Sequence, residues 1–139
     1  MRKWGDGMEK LLTFIADKME TAGIPYEFGE WTGAVSYPYC VGTYSAEEYR
    51  YEDECTNGTL TVDIWSRESK LSAVQMADRI AAVFEDLQEV RDDLLFFVRF
   101  TGADTIPTGE MDLFRIEVRL SVSVWKAEYT GYERKAGLL

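Results

Sequence analysis

The sequence contains no histidine, and that absence removes a large share of enzyme chemistry. Ser–His and Cys–His nucleophile pairs cannot be built without it. Cysteine is almost as scarce. Cys40 and Cys55 stand alone without CxxC spacing, whereas a structural zinc site needs about four nitrogen or sulfur ligands. The two thiols are expected to be free, one in the core and one in a loop, with a disulfide between them as the alternative. Phosphate-cradling signals are missing as well. Gly5-Asp6-Gly7 lacks the strand–turn–helix context and the following glycine of a dinucleotide loop. No apolar run approaches a membrane span, and Leu94–Val98 is far too short for one. Met1–Gly7 carries Arg2 and Lys3 but leads into an amphipathic stretch instead of an apolar signal core. A cytoplasmic protein with no catalytic residues, no metal and no cofactor is the expectation.

What is present is a well-stocked globular chain. Its 139 residues fit one domain, and 46% hydrophobic and 14% aromatic residues suffice for a core without staples. Twenty-five acidic against fifteen basic residues give a formal charge of −10. That charge favours solubility and argues against general binding to phosphate backbones, which calls for a basic face. An acidic wall would still let DNA pass without holding it.

Periodicity supplies the elements. Asp6 and Glu9 form a helix-start signal, Leu11, Leu12, Ile15, Met19 and Ala22 recur at helical spacing, and Gly23 and Pro25 stop the run. A helix is predicted over Gly7–Ala22. Tyr26 and Phe28 suggest a short strand, and Tyr37–Tyr44 a second that Pro38 confines to a strand start or an edge. Ser45–Asn57 reads as an acidic insert closed by the turn dipeptide Asn57-Gly58. Thr59–Ser66 alternates, with Leu60, Val62 and Ile64 on one face and Trp65 on the other. A second helix follows, capped at Ser72 with Gln75 or earlier at Ser69, with Ala73, Met76, Ala77, Ile80, Val83, Phe84 and Leu87 as its stripe. Glu89–Asp93 reads as a charged connector and Leu95–Ala103 as a strand.

The clearest pattern comes last. Phe114, Ile116, Val118, Leu120, Val122 and Val124 alternate with Arg115, Glu117, Arg119, Ser121, Ser123 and Trp125. This strand spans roughly 40 Å, long enough for one end to reach beyond the domain. The polar tail from residue 127 onward is expected to be mobile. The whole reads as a single α+β domain with its core in residues 7–126. It has an antiparallel or mixed sheet of about four to five strands and two helices packed on one face.

The acidic residues Glu47, Glu48, Glu52, Asp53 and Glu54 do not match a calcium-loop spacing and read as a solvated loop. The tyrosines Tyr37, Tyr39, Tyr44, Tyr49 and Tyr51 could stack bases only beside a basic groove, and their neighbours are acidic. Core and subunit contact is the better reading. Trp65 and Trp125 point away from the aliphatic side of their strands, so either a second layer of the same chain or another chain covers them. Tyr37, Tyr39, Trp65, Trp125, Arg115 and Arg119 are therefore the candidate subunit-contact residues.

An N-terminal helix, the Y-P-Y-C-V-G stretch Tyr37–Gly42, a strand ending in D-I-W-S at Asp63–Ser66, an amphipathic helix and two final strands follow one another. This order resembles the tail-completion and tail-terminator proteins of tailed phages and prophages, over about residues 8–126. The resemblance implies a non-enzymatic virion assembly protein. Its copies would form a ring, typically a hexamer, that terminates the tail tube or joins tail to head. Tail-tube and head–tail connector proteins would be its partners and DNA only passing cargo, with no membrane. It would act in the cytoplasm of the bacterial host and in the virion. The long insert Ser45–Asn57 departs from the family pattern. The competing expectation is a small-molecule or regulatory binding domain of a bacterial cytoplasmic protein, with an aromatic cavity between sheet and helices.

Overall fold

The computed structural model describes residues 4–46 and 55–126. Residues 47–54 of the expected insert Ser45–Asn57, with Tyr49 and Tyr51, and the tail at 127–139 lie outside the described residues, while Ser45–Ala46 and Cys55–Asn57 belong to strands. The elements run α1 (Trp4–Thr21), β1 (Tyr26–Phe28), β2 (Tyr39–Ala46), β3 (Cys55–Ser66), α2 (Lys70–Val83), β4 (Leu87–Arg91), β5 (Leu94–Ile106) and β6 (Phe114–Lys126). The six strands form one sheet in the order β1-β2-β3-β6-β5-β4, in which only β1 and β2 run parallel. The α+β class and the mixed sheet agree with the pattern in the sequence. The sheet has six strands where four to five are expected.

Each helix ends where its local chemistry dictates. After α1, Gly23 takes a φ of 73°. Its N–H reaches Glu20 O and the next N–H, from Ile24, reaches Met19 O at 2.9 Å. This is the glycine-terminated closure that satisfies the last carbonyls. Arg79 on α2 donates to two more of them, Ala22 O at 2.8 Å and Gly23 O at 3.1 Å, and so ties the helices together. At the start of α2 the cap is Ser69, whose Oγ accepts from Ser72 N–H at 2.9 Å. Ser72 is thus the third residue of the helix and not its cap.

Both helices lie on one face of the sheet. Leu11, Phe14, Ile15 and Met19 from α1 and Ala73, Met76, Ala77 and Ile80 from α2 meet Leu60, Val62 and Ile64 of β3. The same layer takes in Leu94, Phe96 and Val98 of β5 and Ile116–Val124 of β6 at alternate positions. Phe14 stacks on Phe96 with centroids 4.6 Å apart. Each fully buried aliphatic or aromatic side chain of this kind contributes about 1.5–3 kcal/mol.

Three expectations need correction. Glu89–Asp93 is not a connector: Leu87–Arg91 forms an edge strand whose inward charges are neutralised by α1, with Lys18 Nζ 2.7 Å from Glu89 and Arg91 Nη1 2.8 Å from Asp17. Inward-pointing charges are a common guard on edge strands, and they hide the strand from a hydrophobic-pattern reading. Asn57-Gly58 is not a turn. Both residues lie within β3, where Gly58 leaves room for the Tyr44 ring, and a Cβ there would stand 2.6 Å from Tyr44 Cζ. Finally, β6 does not project from the domain. Its length is matched by β3 from Cys55↔Trp125 to Ser66↔Phe114 and by β5 on the other side.

The cysteines are also resolved. Cys40 is free and fully buried, and burial pushes its thiol up to about 12. It lies opposite Ile64, while Cys55 sits at the far end of β3 within a strand instead of a loop, so no disulfide joins them. No helix among the described residues is long and apolar enough to cross a membrane.

Candidate interaction face

Because strand side chains alternate, every apolar residue turned toward the helices commits its neighbour to the opposite face. Neither helix covers that second face. The pairing registers place its residues in rows across the sheet. One row runs Tyr39 (β2), Trp65 (β3), Arg115 (β6) and Ile106 (β5). The next runs Val41, Asp63, Glu117 and Asp104, and the third Thr43, Thr61, Arg119 and Gly102.

The first row is an aromatic and cationic tract. The Arg115 guanidinium stacks over the Trp65 ring, 5.1 Å from its centroid, while Arg115 Nε donates to Asp63 Oδ1 at 2.9 Å. The carboxylate fixes the guanidinium plane and the ring receives its face, an arrangement that arginine makes and lysine cannot. Tyr39 packs against Tyr37 at 5.5 Å and Trp31 at 5.0 Å. Burial, followed by the neighbouring Tyr37, raises the Tyr39 phenol above its ordinary value, and Arg67 opposes this. Arg67 borders the cluster 5.7 Å from the Tyr37 ring and is held by Asp112 and Glu110 at 3.0 and 3.1 Å.

In the second row Asp63 and Glu117 face each other, which alone would be repulsive. Arginines from the flanking rows neutralise them separately. Arg115 takes Asp63, and Arg119 takes Asp104 at 2.7 Å and Glu117 at 3.4 Å. The result is a lattice of paired charges with aromatic rings at one end.

The structure thus brings together Tyr37, Tyr39, Trp65 and Arg115, with Arg119 two rows away. It does not bring Trp125 to them. Trp125 faces Cys55 and Leu95 ten positions along β3 from Trp65, roughly 33 Å away at strand rise. There it borders a separate trough of about 540 Å³ lined by Phe97, Arg99, Ser121 and Ser123. Trp31 and Arg67 belong to the tract but escape a reading of the sequence, since both lie outside regular strands where no periodicity assigns a side. The Y-P-Y aromatics beside Trp31 are the only hint.

Trp, Tyr and Arg in a partly exposed cluster are the residue types that carry most binding energy in protein–protein contacts. Tyr37, Tyr39, Trp65 and Arg115 are each half-buried. Neither a protein-family model nor a curated protein matches the chain.

Proposed function

We infer that the chain is a non-enzymatic assembly subunit whose copies associate through the helix-free sheet face. The most specific form of that reading is a phage or prophage protein that forms a ring ending the tail tube or joining tail to head. The observation that carries association is the Tyr39–Trp65–Arg115 row, with Tyr37, Trp31 and Arg67 beside it. The phage assignment rests on the Y-P-Y-C-V-G and D-I-W-S resemblance. On this reading the protein acts in the host cytoplasm and in the virion. It meets tail-tube and connector proteins, and DNA passes it as cargo without specific contact.

The space between helices and sheet bears on the alternative. Phe14, Phe84, Phe96, Ile80 and Leu120 fill the middle of that space without exposure, and a cleft of about 470 Å³ remains at one end, where Lys70 and Ala73 of α2 face Phe114 and Ile116. Light scattering across protein concentration, with negative-stain imaging beside the tail-tube protein of the same genome, tests the reading. Concentration-dependent rings that Trp65→Ala and Arg115→Ala weaken are the expected result. A strict monomer that neither self-associates nor joins the tube would overturn it.

A further inference from the structure

The outer edge of β5 loses its partner halfway along. β4 pairs with it only from Leu94 to Val98, yet β5 continues to Ile106. Phe100 N–H points away from β6 and donates to Phe84 O at 2.8 Å. A bulge then absorbs Thr101, after which Ala103 faces Val118 and Thr105 faces Ile116. Val118 and Ile116 stand at even steps from Leu120, the residue opposite Phe100. Ala103 and Thr105 therefore turn their N–H and C=O groups outward as Phe100 does. Among the described residues nothing takes those groups, and both residues are exposed. The bulge and Pro107 bound the stretch, and Gly102–Ile106 contains no lysine or proline to guard it.

Gly102 supplies the second observation. Its φ is not positive, so the backbone does not demand glycine there. The missing side chain leaves space instead: a Cβ would lie 2.7 Å from Arg119 Nη2. The guanidinium thus crosses β5 on the helix-free face to the outer rim of the sheet, 2.7 Å from Asp104.

We propose that this edge pairs antiparallel with the same edge of a second copy, on a two-fold axis through Asp104. Ala103 then lies opposite Thr105 of the partner subunit, and Thr105 opposite Ala103 of the partner subunit. These two hydrogen-bonded pairs use every outward group of the stretch. Asp104 meets Asp104 of the partner subunit between them, on the helix-free face. Two facing carboxylates repel, and Arg119 from each copy, lying over Gly102 beside the seam, holds them together. Glu117, 3.4 Å from the same guanidinium, adds negative charge on each side, so the contact depends on Arg119. A two-fold axis through Ala103 instead would set Ile106 against Phe100, where the chain at Phe84 already occupies the edge. The β5–β6 turn is tied to Arg67 at the end of β3, through Glu110 at 3.1 Å and Asp112 at 3.0 Å. The seam joins two six-stranded sheets into one, and it is independent of the Trp65 row that carries the ring reading.

Asp104→Cys in a Cys55→Ser background tests the axis, because only a two-fold through residue 104 brings that position against itself. Mild oxidation is expected to give a disulfide-linked dimer on non-reducing gels, while Asp112→Cys in the β5–β6 turn stays monomeric. Sedimentation supplies the second arm. Arg119→Gln weakens dimerisation by about tenfold or more, and adding Asp104→Asn to Arg119→Gln restores it by removing the facing charges. A folded Asp104→Cys protein that forms no dimer overturns the proposal. Dimerisation indifferent to Arg119→Gln, or not rescued by Asp104→Asn, does the same. Trp65→Ala leaves the cross-link intact, so failure of the ring reading and failure of this one are distinguishable.

Discussion

The two faces of one sheet are built from alternate residues of the same strands, and they follow different rules. On the covered face, β3 and β6 present Leu60, Val62, Ile64, Ile116, Val118, Leu120, Val122 and Val124, all sealed by the helices. On the open face the intervening residues are Thr59, Thr61, Asp63 and Trp65, then Arg115, Glu117, Arg119 and Ser121. The first set is held by area removed from water, which needs only size and shape. The second is held by paired charges and ring contacts at specified distances. A residue on the covered face is thus expected to matter for folding, and one on the open face for what the folded protein meets.

The largest contrast comes from Phe96→Ala. The ring is fully buried against Phe14, and its removal is expected to cost about 3–5 kcal/mol in chemical denaturation. A loss below about 1 kcal/mol would mean that the covered face is not packed as described.

Two glycines sharpen the comparison. Gly42 on the covered face lies under the Tyr26 ring, and an added Cβ would stand 2.8 Å from Tyr26 Cε1. Gly42→Ala is expected to cost about 1–3 kcal/mol through overpacking. Gly102→Ala on the open face displaces only the flexible end of Arg119, with an expected loss within about 0.5 kcal/mol. Equal losses in thermal or chemical denaturation would erase the distinction between the faces.

Arg115→Ala removes a partly exposed pair with Asp63 and the stacking on Trp65. About 1 kcal/mol of stability is expected to go, with a larger effect on self-association by light scattering. The reverse ranking would make the tract a structural brace and not a contact surface.

The smallest effect lies at the β4 edge. The Lys18 hydrogen bond holds the Glu89 carboxyl below its ordinary value, with Arg91 adding to this. A carboxyl lowered in the folded state stabilises above its unfolded pKa of about 4.3, and that contribution is lost as pH falls through the folded value. Glu89→Gln is therefore expected to flatten the decline of the denaturation midpoint below about pH 5. An unchanged acid limb would show that the pair adds nothing to β4.

Legibility in the sequence follows the same division. The alternation of Phe114–Trp125 and Thr59–Ser66 assigns each residue to a face, because the strand period of two leaves no other choice. The stripe of α1 is legible, although Phe14, fully buried, falls outside the positions that pattern selects. The β4 strand is concealed because its inward residues are charged, and nothing local shows that Lys18 and Asp17 neutralise them. Gly58 looks like a turn because the ring that fills its place belongs to Tyr44, across the sheet.

The α+β class, the sidedness of the long strands and the want of histidine chemistry can be read from the amino-acid order alone, since these depend on composition and short-range periodicity. Strand order and register arise only in the folded arrangement, as does the edge at Ala103–Thr105 that nothing among the described residues pairs. So does the separation of Trp125 from Trp65. Side chains distant along the chain become neighbours through hydrogen-bonded pairing, and the physical chemistry of pairing acts between strands that no local pattern connects.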